Sequence, residues 1–290
     1  MKGALMIVGR SAWIALVCAL VLDLLIGQSP VAAVPQRSDE QIKQEMAGLA
    51  WQRGPVEGRI GSVASIKVGD RQAFLDGPNT RRFLELNGNP PRDERYVLVS
   101  SQWFAVFFFE NAGYVKDDEK LDAAALLASL QQGDKASNAE RERLGMTPLH
   151  TEGWHVLPHY DPTTKRLEWG VRLRGGSEER TVVNYSIRLL GRRGVMHAIL
   201  VSDPESLDRD IAEFKTALGG YEFASGERYS EFRAGDRVAE YGLAALVLGG
   251  AAAVATKSGF GKAIGKFVVV GVAALGSAIV ALFRRLTRRA

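Results

Sequence analysis

Cysteine is almost absent from this chain, whose 290 residues include one. That residue, Cys18, lies inside an apolar leader, so the rest of the protein has no thiol. Internal disulfide bonds and thiolate catalysis are therefore excluded from the remainder of the chain. Val17, which precedes the cysteine, is larger than the small residue that a lipoprotein signal places there, so we do not expect lipid attachment.

Recognisable catalytic motifs are also missing. No serine lies in a GxSxG sequence, which excludes the usual nucleophile elbow of hydrolases. No glycine-rich loop has the spacing of a phosphate-binding motif, so a nucleotide site is not indicated. The sequence contains no internal repeat and no low-complexity linker, which argues against a repeat protein.

The excess positive charge is confined to the two ends of the chain. The whole chain has a formal net charge of +4; residues 1–33 carry +1 and residues 241–290 carry +7, which leaves −4 between them. Basic residues beside apolar runs are typical of membrane flanks. We therefore expect no nucleic-acid partner.

The N-terminus has the organisation of an export signal. Lys2 and Arg10 are followed by an apolar run from Ser11 to Ile26, and Val31-Ala32-Ala33 supplies small residues for cleavage. We predict a signal peptide over residues 1–33. An uncleaved signal anchor is the alternative.

Residues 34–240 have the pattern of a soluble α+β domain, with an antiparallel β-sheet and flanking helices. Three strands separated by turn residues between Gly153 and Val201 predict an antiparallel meander. The nearly all-apolar stretch from Trp103 to Glu110 predicts a central strand that is covered on both faces. Polar residues from Gln131 to Asn138 predict a loop between two helices.

The alternation within the meander predicts which side chains are buried. Strands with period two commonly have one buried and one solvated face. We expect Trp169 and Tyr185 on the buried side, and Glu168 and Arg188 on the more solvated side.

Residues 241–290 have the composition of a membrane anchor. Residues 242–255 and 267–283 carry no charge, and as helices they are about 21 and 26 Å long, against about 30 Å of hydrocarbon. We predict a transmembrane helix or a helical hairpin that contacts the bilayer through Tyr241–Phe283. A single span over the second run places the terminal arginines inside, which the charge rule slightly favours. Two buried core helices are the soluble alternative.

A few residues are candidates for catalysis. Asp117 and Asp118 lie in the most charged turn of the domain, and the carboxylate of Asp161 follows the pair formed by His155 and His159. Carboxylates and imidazoles perform acid–base chemistry or ligate metals. On a strand the two histidines lie roughly 13 Å apart, which is too far for one metal ion. We therefore predict neither a metal nor a cofactor.

Arg188, Arg192 and Arg193 form the best basic cluster of the domain and are the candidates for binding an acidic headgroup or glycan. The alternative for such a cluster is a solvated strand end.

Several motifs resemble one known family. They are GYVKDDEK (113–120), Gly153-Trp154, Pro158, Tyr160-Asp161, Leu167, Trp169, Asn184-Tyr185, Leu190-Gly191-Arg192, Gly194-Val195, Gly226, Tyr229, Phe232, Asp236, Val238, Tyr241 and Gly242-Leu243. In these motifs the chain, from about Trp51 to Gly250, is similar to predicted bacterial membrane-anchored proteins catalogued as domain of unknown function 2167. The resemblance implies a leader, an exported domain and a C-terminal anchor. It implies no activity and no site residues.

Two classes of function follow. The first is a non-enzymatic envelope protein in the bacterial inner membrane, whose periplasmic domain contacts a protein or lipid partner. The second is a periplasmic hydrolase or metal-dependent enzyme that uses Asp117, Asp118, His155, His159 and Asp161. The enzyme requires these residues to converge at one end of the sheet.

Overall fold

A computed structural model describes residues 38–87, 92–143, 148–175 and 180–249. The helices are α1 (Asp39–Ala47), α2 (Gly77–Leu86), α3 (Ala123–Arg143), α4 (Leu207–Ala217) and α5 (Leu243–Leu248). The strands are β1 (Gln52–Arg53), β2 (Val56–Ile60), β3 (Ala64–Val68), β4 (Ala73–Leu75), β5 (Tyr96–Val99), β6 (Trp103–Glu110), β7 (Leu149–Asp161), β8 (Arg166–Gly175), β9 (Arg180–Leu190), β10 (Val195–Ser202) and β11 (Tyr221–Phe223).

The strands form one large and one small antiparallel sheet. The large sheet has eight strands in the order β1-β4-β5-β6-β10-β9-β8-β7, and the small sheet has the order β11-β3-β2. This confirms the predicted α+β class with a large antiparallel sheet and flanking helices. The predicted meander corresponds to β7–β10, which are neighbours both in sequence and in the sheet. It has four strands instead of the three predicted, because a turn between Gly191 and Gly194 divides the last run into β9 and β10. β6 lies centrally, as its apolar sequence predicted, and its residues from Trp103 to Phe107 are buried.

One face of the large sheet is covered by α4 and the small sheet, and we call it the α4 face. Its core combines sheet residues such as Phe107, Tyr185 and Ala198 with Ile66 of the small sheet and Phe214 of α4. These side chains form one continuous apolar cluster. α4 contributes through the helical spacing of its apolar residues, which places them on one side.

The opposite face, which we call the α5 face, carries two separate apolar clusters. One lies between α2 and the β4–β6 end of the sheet, around Phe83 and Val106. The other lies between α3, α5 and the β8–β9 end, around Trp169 and Leu246. Buried polar side chains of Ser186, Arg188 and His197 lie on β9 and β10.

The predicted register of the meander was wrong. Trp169 pairs with Ser186, whereas Glu168 pairs with Ile187, so Tyr185 shares the α4 face with Glu168. The Tyr185 hydroxyl donates to Glu168 Oε2 at 2.8 Å. The prediction failed because it assumed a single buried face, while elements distant in sequence cover both.

The predicted loop at Gln131–Asn138 was also wrong, since α3 runs through it. Its polar residues hydrogen-bond to the edge strand β7 instead of ending the helix. Asn138 both accepts from the backbone N–H of Leu149, at 2.9 Å, and donates to its carbonyl, at 2.8 Å. Asp134 accepts from the Thr151 backbone N–H at 2.7 Å. These bonds stabilise helix where local propensity favours a turn.

The first part of the predicted membrane anchor belongs to the folded domain. Leu243, Leu246 and Val247 of α5 are buried against α3 and β8. The helix ends at Gly249, which has the left-handed backbone (φ 115°) typical of a helix C-terminus. Among the described residues, no helix has the length and apolar character needed to cross a membrane. The predicted signal at 1–33 and the anchor beyond Gly249 lie outside the described residues.

Candidate functional site

Three segments that are distant in sequence meet at one end of the large sheet. They are the loop after β6 (residues 111–122), the β7–β8 turn (162–165) and the segment from Gly226 to Gly242. The Tyr114 backbone N–H donates to the Arg237 carbonyl at 2.8 Å, and Ala239 donates to the Tyr114 carbonyl at 2.9 Å. Gly113 permits this approach: its φ is +93°, and a Cβ there would lie 2.8 Å from the Arg237 oxygen.

Asp117 connects the first two segments. Its Oδ2 accepts from the Tyr160 hydroxyl at 2.6 Å and from Lys165 Nζ at 2.8 Å. Partial burial raises the pKa of this carboxyl, but the bonds from Lys165 and Tyr160 outweigh burial and hold the pKa below its usual value. The pKa of Tyr160 is raised by burial and by its bond to Asp117. Asp117 is therefore an ionised, engaged carboxylate and is poorly suited to act as a general acid at neutral pH.

Aromatic rings link these segments to the third, and we call them the tyrosine stack: Tyr114, Tyr229 and Phe232. The ring centroids of Tyr114 lie 4.3 Å from Tyr229 and 4.2 Å from Phe232. The Lys165 ammonium lies 5.0 Å from the Tyr229 ring centroid, within cation–π range. Lys165 also has a left-handed backbone (φ 56°), which is uncommon for a residue with a side chain. The stack and the ion pair hold the turn in this conformation.

The other acidic and histidine candidates do not join Asp117 in one catalytic group. Asp161 caps its own turn by accepting from the Thr163 backbone N–H at 2.9 Å, and Asp118 is exposed. His155 pairs with Asp208 at 2.7 Å, beside α4, and His159 is exposed on the same side of the sheet.

Asp117, in contrast, contacts rings on the α5 face. Within the described residues, no three His, Cys, Asp or Glu side chains are arranged to hold a metal ion.

The predicted basic cluster divides into two parts. Arg192 forms a bidentate pair with Asp236, with both N–O distances at 2.7 Å, and this pair lowers the pKa of Asp236 to about 2. Arg193 pairs with Glu227. Both arginines thus attach the C-terminal segment to the sheet. Arg188, which the sequence placed on a solvated face, is instead buried on the α5 face and is 3% exposed.

A group of neighbouring side chains around Arg188 was not predicted from the sequence. We call Phe108, Arg188, His197 and Glu110 the polar row. Phe108, His197 and Arg188 lie side by side on β6, β10 and β9. His197 Nε2 lies 2.8 Å from Glu110 Oε2, and the Tyr241 hydroxyl donates to Glu110 Oε1 at 2.8 Å. The sequence signal was present: an arginine and a histidine occur inside strands whose neighbours are apolar. Alternation alone assigned Arg188 to solvent.

Burial is the main cause of the pKa shifts of His197, Arg188 and Arg95. Burial, and then the charge of Arg188, lowers the pKa of His197 to about 3, so its ring is neutral at neutral pH. Burial lowers the pKa of Arg188 to about 9 and that of Arg95 to about 10, which leaves both charged. Since Nε2 of neutral His197 faces the Glu110 carboxylate, that nitrogen carries the proton and Nδ1 is an acceptor.

Comparisons with known proteins identify the family. Residues 52–281 match the family described as "Protein of unknown function (DUF2167)", and the chain belongs to it. No curated protein matches the chain significantly. Among solved structures, it is similar to cyanobacterial PsbP (CyanoP) from Synechocystis sp. PCC 6803. The two share 9% identity over 61% of this chain and 94% of that one, with a TM-score of 0.34.

Proposed function

We propose that this member of the DUF2167 family is an envelope protein of the bacterial inner membrane whose exported domain binds a partner without catalysing a reaction. A C-terminal span tethers the domain on the periplasmic side. The bilayer is one partner, and an envelope protein or lipid is the other.

The observation that favours a single-span tether over a two-span hairpin is the position of α5. Because Leu243 and Leu246 are buried in the domain, the first apolar run begins inside a protein core. Gly249 then ends the helix after six residues, which is far short of the roughly 20 needed to cross a bilayer. The second run, 267–283, reaches that length when it is extended back to Ala263, with Lys266 directed toward the headgroups.

A single span over the second run determines which side of the membrane each end of that span faces. With one span, the four arginines after Phe283 face the cytoplasm, as the excess of positive charge in cytoplasmic flanks favours. The domain then lies on the outer side, in agreement with the predicted export signal.

Binding is favoured over catalysis because the ionisable candidates are either engaged or exposed on different faces. Asp117 is held by Tyr160 and Lys165, and His155 is directed toward α4. The enzyme alternative needs these groups to share one site, so it has less support.

Cysteine labelling of the full chain tests the tether. In a Cys18→Ala background, Leu157→Cys marks the domain, Ser258→Cys the linker and Ala290→Cys the tail. Leu157 is chosen because its side chain is 62% exposed. On intact spheroplasts, a membrane-impermeant maleimide should label the first two cysteines and not the third, while permeabilised cells should label all three.

Two patterns would contradict the proposal. If Leu157→Cys is protected until the cells are permeabilised, the domain is not exported. If Ala290→Cys is labelled and Ser258→Cys is not, the tail is a two-span hairpin.

A further inference from the structure

We propose that the polar row of the α5 face is an oxyanion-binding site, with the Arg188 guanidinium at its base and Arg95 at its rim. The ligand is a phosphate or carboxylate group. This inference specifies the ligand class of the binding role and rests on that role, but not on the membrane topology.

Among the described residues, no carboxylate forms an ion pair with the buried Arg188, although the nearby charge of Glu110 stabilises its cationic form. Its Nη1 donates to the Ile187 carbonyl at 3.1 Å, and its Nε is buried with no hydrogen-bond partner. The guanidinium lies 4.7 Å from the Trp169 ring centroid. Buried charges are normally paired, and leaving one unpaired costs free energy. The donor capacity of Arg188 is therefore only partly used.

The groups beside Arg188 are also only partly bonded. His197, 6% exposed, is directly opposite it in the sheet, and its Nδ1 has no partner. Arg95 is half-buried, lies 3.9 Å from the Phe108 ring centroid, and has an unpartnered Nε. The carboxylate of this row, Glu110, is directed toward His197 and Tyr241.

The chemistry of these groups selects an oxyanion. Guanidinium nitrogens donate to two oxygens of one phosphate or carboxylate in a planar arrangement. Nδ1 of neutral His197 accepts a hydrogen bond, which suits the hydroxyl of monohydrogen phosphate or a bound water. The rings of Trp169 and Phe108 border the row and suit an apolar part of the ligand. Arg192, by contrast, has its charge matched by Asp236.

Thermal unfolding of the full detergent-solubilised chain tests the site. The probes are inorganic phosphate, acetate and dihexanoyl phosphatidylglycerol, each compared with sodium chloride at equal ionic strength. A ligand that binds the native state raises Tm saturably, by about 5–10 °C when it exceeds its Kd a hundredfold. We expect this rise for at least one probe. Protection by the lipid alone assigns the site to a headgroup, and protection by phosphate or acetate assigns it to a free anion.

Three variants locate the effect. Arg188→Met should abolish the rise, and Arg95→Met, at the half-buried rim, should weaken it at least tenfold in ligand concentration. Arg192→Met is the matched control: it removes a paired arginine and should retain the rise although its own Tm is lower. A rise that persists in both Arg188→Met and Arg95→Met, or none with any probe in the unaltered protein, overturns the proposal.

Discussion

The two faces of the large sheet differ in the polarity of their buried side chains, although the same strands form both. On the α4 face, β6, β10 and β9 contribute apolar side chains to one continuous core, and the polar Glu168 is at its margin. On the α5 face the same strands carry Ser186, Arg188 and His197 between two smaller apolar clusters. The α4 face also buries polar groups, Ser202 and Asp210, but these hydrogen-bond to each other. On the α5 face, Arg188 Nε and His197 Nδ1 have no partner, which is why we assign the proposed binding to that face.

The α5 face also receives the segment that precedes the predicted membrane anchor. Tyr241 bonds to Glu110, and Ala244 at the start of α5 donates to Glu119 at 3.0 Å. The tyrosine stack holds the same segment at an earlier point in the chain, through Tyr229 and Phe232. A ligand at the polar row would therefore lie close to Tyr241, two residues before Leu243, where the buried packing of α5 begins.

The largest expected loss of stability comes from removing a buried ring from the core of the α4 face. Phe214 of α4 is fully buried and has edge contacts with Trp103 and Phe107, at centroid distances of 5.5 and 6.2 Å. Phe214→Ala should lower the free energy of unfolding by about 3–5 kcal/mol because it leaves a cavity. Urea unfolding measures this. Leu157→Ala, at an exposed position, should change it by less than about 0.5 kcal/mol.

A comparable test on the other face asks whether α5 belongs to the core. Leu246 is 1% exposed and packs in the cluster around Trp169. Leu246→Ala should cost about 2–5 kcal/mol of domain stability in the same urea measurement. Val238→Ala, half-exposed in the preceding segment, is the control and should cost far less. Equal stability of Leu246→Ala and the unaltered domain would assign α5 to lipid instead.

A smaller effect should appear as a pH dependence. The pKa of Asp236 is depressed to about 2 by Arg192 in the folded state, below its usual value of 3.8. A depressed pKa stabilises the fold above the unfolded-state pKa, and that stabilisation is lost as the pH falls from about 4 to 2.

Asp236→Asn should therefore have a lower Tm than the unaltered protein at pH 7. The difference should shrink on acidification through this window. A difference that stays constant down to pH 2 would mean that the ion pair does not stabilise the fold.

Local sequence patterns predicted the helices and strands well where interactions between nearby residues determine them. The alternating strands β8 and β9 and the apolar strand β6 form as expected. The first helix likewise begins at a local signal, a capping box in which Gln41 accepts from the Ser38 backbone N–H at 2.9 Å. α3 differs because Asn138 and Asp134 bond to β7, a contact that is invisible in sequence windows. Arg188 differs because burial of a charge depends on what covers the opposite face.

The candidate site was predictable only in part. The convergence of Asp117 with the β7–β8 turn followed from strand pairing, since a loop and a turn at one sheet end meet. The engagement of Asp117 by Tyr160 and Lys165 did not, because it depends on side-chain geometry across 43 and 48 residues. The pairing of Arg192 with Asp236 was not predictable either, because the two residues are 44 positions apart in the sequence.

Two buried tryptophans on opposite faces allow the most direct test of this division. Trp103 is on the α4 face and donates to Glu213 at 3.1 Å, while Trp169 lies beneath Arg188 on the α5 face. Tryptophan fluorescence of the full chain would be titrated with the oxyanion that raises Tm. The emission change should persist in Trp103→Phe and vanish in Trp169→Phe. A change that survives in Trp169→Phe, or is lost in Trp103→Phe, would contradict the assignment of binding to the α5 face.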